Sequence, residues 1–194
     1  MNMELQQQPV LSVLQGAHVS SGSVHVILFF FMVYAFGGWL LENVYSKATT
    51  GVFLKEGFLF GPFKPMYGFA PVFILLYAER GASWGIVLLL CLIVPTCVEY
   101  ISGMLLQKGI HRQYWDYSGF RLQLHGHICL SFSLCWMLLS LAVIWILHPY
   151  VAALYIKVEP IWRIFGPLWL LYVLSDAGWS VWVRRQEAHL LAGD

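Results

Sequence analysis

The stretch VHVILFFFMVYAFGGWLLENVY, residues 24–45, decides the class of this fold. Glu42 is its single Asp, Glu, Lys or Arg residue. About 20 predominantly apolar residues form a helix long enough to cross the roughly 30 Å hydrocarbon core of a bilayer. Further apolar runs cover residues 66–77, 83–106, 126–148 and 161–183. We therefore predict an all-α, polytopic membrane helix bundle with about five transmembrane helices.

The composition supports a membrane class. Hydrophobic residues make up 59% of the 194 residues, and only 11% are charged, whereas a soluble domain carries about 25% charged residues. The net charge of +1 gives no basic face of the kind that binds nucleic acid. The lipid bilayer is the predicted environment, and no nucleic-acid partner is expected.

The N-terminal residues and the cysteines carry further expectations. No Lys or Arg precedes residue 25, so the basic region of a secretory signal peptide is missing and the first apolar run is expected to be retained. The cysteines lie inside apolar runs without the two-residue gap of a redox or zinc motif: Cys91, Cys97, Cys129 and Cys135. We predict no disulfide, no metal site and no cofactor.

Basic residues indicate the orientation, because Lys and Arg are enriched in cytoplasmic loops. Eight follow the first, third and fifth predicted spans: Lys47, Lys55, Lys64, Lys108, Arg112, Arg121, Arg184 and Arg185. The opposite side holds Arg80, Lys157 and Arg163. This bias predicts an extracytoplasmic segment 1–23, a transmembrane domain 24–183 and a cytoplasmic tail 184–194. Residues 149–160 either extend the fourth span or lie on the outer surface.

Three acidic residues fall inside the predicted spans. Glu42, Glu99 and Asp176 each lie about one or two helical turns from an inner end. A charged side chain at the bilayer centre costs roughly 2.5–3.5 kcal/mol, so such residues face a partner or a cavity. One interpretation is local neutralisation, for example by Arg112 or Arg121. Because all three lie at similar depth on one side, we favour a polar pocket that opens to the cytoplasm.

The stretch GFLFGPFKPMYGFAP, residues 57–71, contains three Gly and three Pro. Pro lacks the amide donor and Gly tolerates positive φ, so we expect no regular helix through it. It is either a tight loop or a broken, re-entrant approach to the second span, which is allowed where protein or water covers the backbone. Gly61 and Pro62 would shape a gate, and Lys64 and Tyr67 could contact a ligand.

The stretch HRQYWDYSGF, residues 111–120, places an acid among aromatic rings. Trp115 and Tyr117 have the amphipathic rings that settle at headgroup depth. Asp116 could cap the next helix, pair with Arg112 or Arg121, or contact a ligand. We expect the segment to close the inner mouth of the bundle.

Several motifs together resemble a known family. The segments GWLLENVY (38–45), GFLFGPFKPMYGFAP (57–71), VEYISGMLL (98–106), YWDYSG (114–119) and GHICLSFSLCW (126–136) resemble, in order and spacing, the type IV ABC-transporter membrane proteins, also called CmpB-like. The region 99–136 is also similar to a small vertebrate transmembrane protein family. The resemblance spans about residues 36–136 and implies a permease. One departure is Glu56, where relatives usually carry Arg.

The resemblance and the residues favour a permease-like or substrate-binding component of a transport system with a cytoplasm-facing acidic and aromatic pocket. No GxxxxGK[ST] phosphate loop is present, so ATP-driven transport would need a separate ATPase subunit. A bacterial cytoplasmic membrane and a homo-oligomer are further expectations. The predicted substrate-binding residues are Glu42, Gly61, Pro62, Lys64, Tyr67, Glu99, Trp115, Asp116 and Tyr117.

Two alternatives remain open from the sequence. The first is an intramembrane enzyme that acts on a lipid or isoprenoid headgroup, with a carboxylate as general base. The chain has no HExxH motif and no nucleophile elbow, so we assign no catalytic residue. The second is a non-catalytic assembly or sensing subunit of a membrane complex.

Overall fold

The computed structural model describes residues 23–192, which form a helical bundle. Its helices are α1 (Val24–Thr50), α2 (Pro65–Ala78), α3 (Trp84–Ile110), α4 (Leu130–Ala142), a π-helical turn (Val143–Leu147) and α5 (His148–Ala192). Two short strands, β1 (Gln123–Leu124) and β2 (Ile128–Cys129), pair antiparallel. The all-α prediction is confirmed. The predicted segment 1–23, apart from Ser23, and residues 193–194 lie outside the described residues.

The five apolar runs do not form five separate helices. Within residues 23–192, three helical segments are long and apolar enough to cross a membrane: Val24–Thr50, Trp84–Ile110 and Leu130–Ala188. The second predicted span is the 14-residue α2, because the chain before Pro65 is not helical. The fourth and fifth predicted spans are joined, because residues 149–160 continue the helix.

The helical segment from Leu130 onward folds back on itself. Fifty-five residues of straight helix would span roughly 80 Å. Yet the Leu130 N–H bonds to the Leu122 carbonyl at 3.1 Å, and Arg185 Nε donates to the Gly109 carbonyl at 3.1 Å. Gly109 lies in the last turn of α3. Leu122 directly precedes the β1–β2 hairpin, whose His127 packs on Gly103 of α3. The two ends of the segment therefore meet at the same end of the bundle. Prolines and π-helical turns are the usual sites of such bends, and the segment contains both.

An aromatic core holds together the end of the bundle that lies away from Gly109 and Leu122. Phe29 of α1 packs against Tyr155 and Trp162 of α5, with ring centroids 5.2 and 5.4 Å apart. Beside them, the buried Tyr34 hydroxyl and His148 Nδ1 are hydrogen-bonded at 2.7 Å. These contacts fix α5 against α1. A cavity lies at the other end of the bundle.

The connection between α1 and α2 runs back along α1. The Lys55 N–H bonds to the Asn43 side chain at 2.8 Å, and the Lys64 N–H bonds to the Ala35 carbonyl at 3.0 Å. Non-helical backbone therefore returns to the middle of α1 before α2 begins, and we call residues 51–64 the re-entrant connection because they run back along α1. The expectation of no helix across 57–71 holds only to Lys64, because Pro65 starts the helix and Pro71 lies inside it.

A tight hairpin precedes α4. The His127 N–H bonds to the Leu124 carbonyl at 3.1 Å. The two central residues, His125 and Gly126, have φ of +54° and +71°, which is the geometry of a type I′ turn. Glycine suits this position, since a Cβ at Gly126 would lie 2.8 Å from Asp116 Oδ1. The helix consequently starts at Leu130 rather than at Gly126, where the fourth span was predicted to begin.

Candidate functional site

The helices line an open cavity of about 740 Å³ at the end of the bundle where α3 ends. This volume lies in the range of about 300–1,000 Å³ that is typical of small-molecule sites. Most of the lining is apolar, and the polar and aromatic side chains come from separate elements. They include Glu42, Lys64, Tyr67, Glu99, Trp115, Tyr117 and Trp136.

Glu42 is neutralised inside this cavity. Its carboxylate forms an ion pair and hydrogen bond with Lys64, and Lys55 Nζ lies 3.3 Å from the same oxygen. Burial lowers the pKa of Lys64, while the adjacent carboxylate of Glu42 acts in the opposite direction. Neither of the partners expected from the sequence, Arg112 and Arg121, contacts Glu42. The re-entrant connection supplies both cations instead.

Glu99 is a second carboxyl group of the cavity wall, and it is only 2% exposed. Oε1 accepts a hydrogen bond from the Tyr117 hydroxyl at 2.9 Å. Oε2 is buried and accepts no hydrogen bond from any residue of the described range. Buried carboxyl oxygens normally have a donor. The wall of the cavity therefore contains a buried acceptor that has no protein donor among the described residues.

Tyr117 belongs to the aromatic segment 111–120, which covers α3. Its ring stacks on Phe132 of α4 with centroids 4.7 Å apart, and its N–H bonds to the Gly126 carbonyl at 2.9 Å. Burial, followed by the nearby Glu99 charge, raises the pKa of the Tyr117 phenol. The Tyr117 hydroxyl therefore stays protonated and donates a hydrogen bond to Glu99.

Trp115 fixes the same segment from the other side. Its indole Nε1 donates to the His127 carbonyl at 2.9 Å. Gly103 of α3 permits the close approach, because a Cβ there would lie 2.9 Å from His127 Nδ1 and 3.2 Å from the Trp115 ring. The hairpin and the aromatic segment therefore pack directly onto α3 beside Glu99.

Tyr67 and Trp136 separate this cavity from a second one. Their rings are 5.0 Å apart in an edge-to-face arrangement, and both residues line both cavities. The second cavity has a volume of about 210 Å³ and a mostly apolar lining. The Tyr67 ring lies on Gly38 so closely that a Cβ at that position would overlap it. The two rings form a partition in the middle of the bundle.

Asp176 does not line the cavity, although the sequence placed it with the other acids. Its carboxylate accepts hydrogen bonds from the N–H groups of Phe60 at 3.1 Å and Gly61 at 2.8 Å. Asp176 therefore anchors the re-entrant connection to α5. Gly61 and Pro62 are likewise absent from the lining of the larger cavity within the described residues.

Asp116 organises its own loop. Oδ1 accepts from the Ser118 N–H at 2.8 Å, and Oδ2 lies 3.0 Å from the Ser118 hydroxyl. The side chain is exposed and forms no salt bridge within residues 23–192. Its role in the structure is a turn that orients the neighbouring Trp115 and Tyr117.

A cluster of four charged side chains lies beside the cavity mouth. Glu56 is 3.1 Å from Arg112 and 2.7 Å from Arg184. Glu187 is 3.1 Å from Arg112 and 3.2 Å from Arg184. The cluster joins the re-entrant connection, the aromatic segment and α5. Glu56 thus has two arginine partners in this cluster.

Six of the nine predicted residues therefore converge on one cavity: Glu42, Lys64, Tyr67, Glu99, Trp115 and Tyr117. Gly61, Pro62 and Asp116 do not line it. Sequence reasoning missed Trp136 and Lys55. Trp136 is concealed in an apolar run, where a ring that faces the interior cannot be told from one that faces lipid. Among residues 23–192, no group of three or more His, Cys, Asp or Glu side chains could hold a metal ion.

Comparison with known proteins gives one match. A family model described as "Putative ABC-transporter type IV" matches residues 29–181, which is well over half of the chain. The match extends beyond the resemblance, which ended near residue 136, into α5. No curated protein and no solved structure matches the chain.

Proposed function

The chain belongs to the type IV ABC-transporter family, and on that basis we propose that it is the permease-like, substrate-binding membrane component of a transport system. The observation that carries the proposal is the cavity of about 740 Å³ with the buried, half-satisfied carboxyl of Glu99 in its wall. Ionisable groups at membrane depth are expensive and mark substrate or ion pathways. Here such a group faces a space large enough for a small molecule.

The second cavity supports a route through the bundle. It continues the larger cavity beyond Tyr67 and Trp136, and its lining is mostly apolar. Rotation of these two rings would join the two spaces. Gly38 and Tyr67 fix the closed position, so we assign the ring pair the role of a gate.

The topology that we propose has five membrane passes, with the N-terminus outside and the C-terminus in the cytoplasm of a bacterial cell. The first half of Leu130–Ala188 would make the fourth pass and the second half the fifth. This assignment is supported by the return of Arg185 to Gly109. It agrees with the excess of Lys and Arg near the cavity mouth, which then faces the cytoplasm.

Native cysteines offer a test of this orientation. Cys97 and Cys135 are both exposed, but Cys135 lines the larger cavity and Cys97 lines neither cavity. Variants that retain only one of these thiols would be treated with a membrane-impermeant methanethiosulfonate reagent from each side of the membrane. We expect Cys135 to react from the cytoplasmic side and Cys97 to react from neither side. Reaction of Cys135 from the outer side, or no reaction at all, would overturn the proposed cavity orientation.

Transport itself needs an energy source, which for this family implies a separate ATPase. We expect the protein, solubilised in mild detergent from its own host, to co-purify with a nucleotide-binding subunit. The charge-reversed variant Glu56→Arg, which alters the cytoplasmic face, should weaken that association, whereas Glu159→Gln on the opposite side should not. Turnover of a lipid by the purified protein alone would favour the enzyme alternative instead.

A further inference from the structure

Resting on the proposed transport function, we propose that the larger cavity binds an amphipathic ammonium cation that carries at least one N–H bond. The N–H group donates a hydrogen bond to Oε2 of Glu99. The apolar part of the molecule lies among the aliphatic and aromatic side chains of the same cavity.

The first support is the unused acceptor. The Glu99 side chain is only 2% exposed. Its Oε2 accepts no hydrogen bond from the residues that the structure describes. The Trp136 indole interacts with this carboxyl, but its Nε1 lies outside hydrogen-bond geometry with any acceptor of the described residues. A carboxylate oxygen has two lone pairs, so Oε2 can take a ligand N–H whether or not the indole turns toward it.

The second support is the distribution of charge around the cavity. Lys55 and Lys64 are both engaged by Glu42. Arg185, at the mouth, donates to the Gly109 carbonyl. Glu99 forms no salt bridge with any cation in the described part of the chain. Glu99 is therefore a buried carboxyl group of the cavity wall with no cationic partner among the described residues, and an ammonium cation would supply that partner.

The third support is the chemistry of the walls. Trp115, Tyr117 and Trp136 line the cavity together with Glu99. Aromatic faces attract ammonium groups through their quadrupole, with about 2 kcal/mol or more when the site is desolvated. Leu105 and Leu106 extend the lining as an apolar surface, which suits an alkyl or aryl body. A carboxyl group beside aromatic rings and an apolar wall selects an amphipathic cation over a sugar or an inorganic anion.

The proposal is tested with four probes that share one octyl chain. The purified protein would be placed in lipid nanodiscs, and equilibrium binding near neutral pH would be followed by tryptophan fluorescence, with empty nanodiscs subtracted. The probes are n-octylammonium, n-octyltrimethylammonium, 1-octanol and octanoate. We expect n-octylammonium to bind at least about tenfold more tightly than the other three, because a hydrogen bond to a charged group contributes about 1.5–3 kcal/mol.

Two variants locate the binding group. Glu99→Gln should weaken n-octylammonium binding about tenfold or more and leave 1-octanol binding unchanged. The matched control is Glu159→Gln, because Glu159 pairs with the exposed Arg163 on the surface, and it should leave all four affinities unchanged. If Glu99→Gln does not fold, the ranking of the four probes on the unaltered protein decides the question.

Each contrary result has a distinct meaning. Equal binding of the ammonium and trimethylammonium probes would overturn the N–H bond, and tightest binding of octanoate would overturn the cationic substrate; both would leave a binding cavity and the transport proposal in place. If no probe binds while Cys135 still reacts from the cytoplasm, the ammonium proposal fails alone. If no probe binds and Cys135 is inaccessible, the proposed function fails with it.

Discussion

The Tyr117 hydroxyl donates a hydrogen bond to the Glu99 carboxylate across 2.9 Å, which joins the aromatic segment to α3. We expect Tyr117→Phe to remove this donor and to lower the free energy of unfolding by about 1–3 kcal/mol, because a buried carboxylate would lose its protein partner. Thermal unfolding in detergent, followed by tryptophan fluorescence, measures the change. Tyr150→Phe is the matched control, since Tyr150 is 72% exposed. Equal destabilisation by both variants would contradict a specific role for the bond.

The raised pKa of the Tyr117 phenol predicts that the stability of the protein depends on pH in the alkaline range. The pKa of Tyr117 is raised above its usual value of about 10 by burial and by Glu99. Between that usual value and the raised one, the folded state holds a proton that the unfolded state has lost. Stability therefore falls as pH rises above about 10, by up to about 1.4 kcal/mol per pH unit from this group. Tyr117→Phe should flatten the curve in that range, and an unchanged slope would refute the raised pKa.

Adjacent glycines of α1 offer a matched pair for the gate. A Cβ at Gly38 would overlap the Tyr67 ring, whereas a Cβ at Gly37 would meet nothing within 4 Å. We expect Gly38→Ala to cost about 1–3 kcal/mol through overpacking. Gly37→Ala should be neutral or stabilising by up to about 1 kcal/mol, because Ala favours a helix. Thermal unfolding of both variants in one detergent makes the comparison, and the reverse order would exclude the packing of Tyr67 on Gly38.

Asp176 should control the order of the re-entrant connection. Asp176→Ala removes the acceptor for the N–H groups of Phe60 and Gly61. We expect these two amides to exchange with deuterium at least about tenfold faster, as judged from the energy of hydrogen bonds to a charged acceptor. Glu159→Ala, which removes a surface carboxylate from the same helix, is the control. Unchanged exchange in the 57–64 segment would show that other contacts hold it.

The pair of Glu56 and Arg184 lends itself to a charge exchange. Arg184 is only 6% exposed, and its guanidinium lies 2.7 Å from Glu56. Glu56→Arg and Arg184→Glu should each destabilise the protein by about 1–3 kcal/mol, because each places like charges together. The double variant should recover about 1 kcal/mol or less of that loss, since Glu56 is half exposed and solvent screens the pair. Strictly additive single effects would argue against direct coupling.

Hydropathy and motif spacing predicted much of this protein correctly, because both are properties of the chain read locally. The apolar run at α1 established the helical membrane class, and the motifs around Glu42, Tyr67 and Tyr117 indicated the family. The depth of Glu42 and Glu99 followed from the helical rise of about 1.5 Å per residue. The position of each acid within its apolar run was thus enough to predict that both lie toward the same end of the bundle.

The tertiary structure decided what each acid does. Glu42 meets Lys64 because the re-entrant connection doubles back along α1, and Asp176 meets Gly61 because α5 returns beside that connection. Among the carboxyl oxygens of the described residues that are buried, only Glu99 Oε2 has no hydrogen-bond partner. The contacts of Glu42 and Asp176 join residues 22 and 115 positions apart, and they depend on how the helices and the connection pack, which no local periodicity encodes. For that reason the sequence supplied the candidates, and packing selected Glu99 among them.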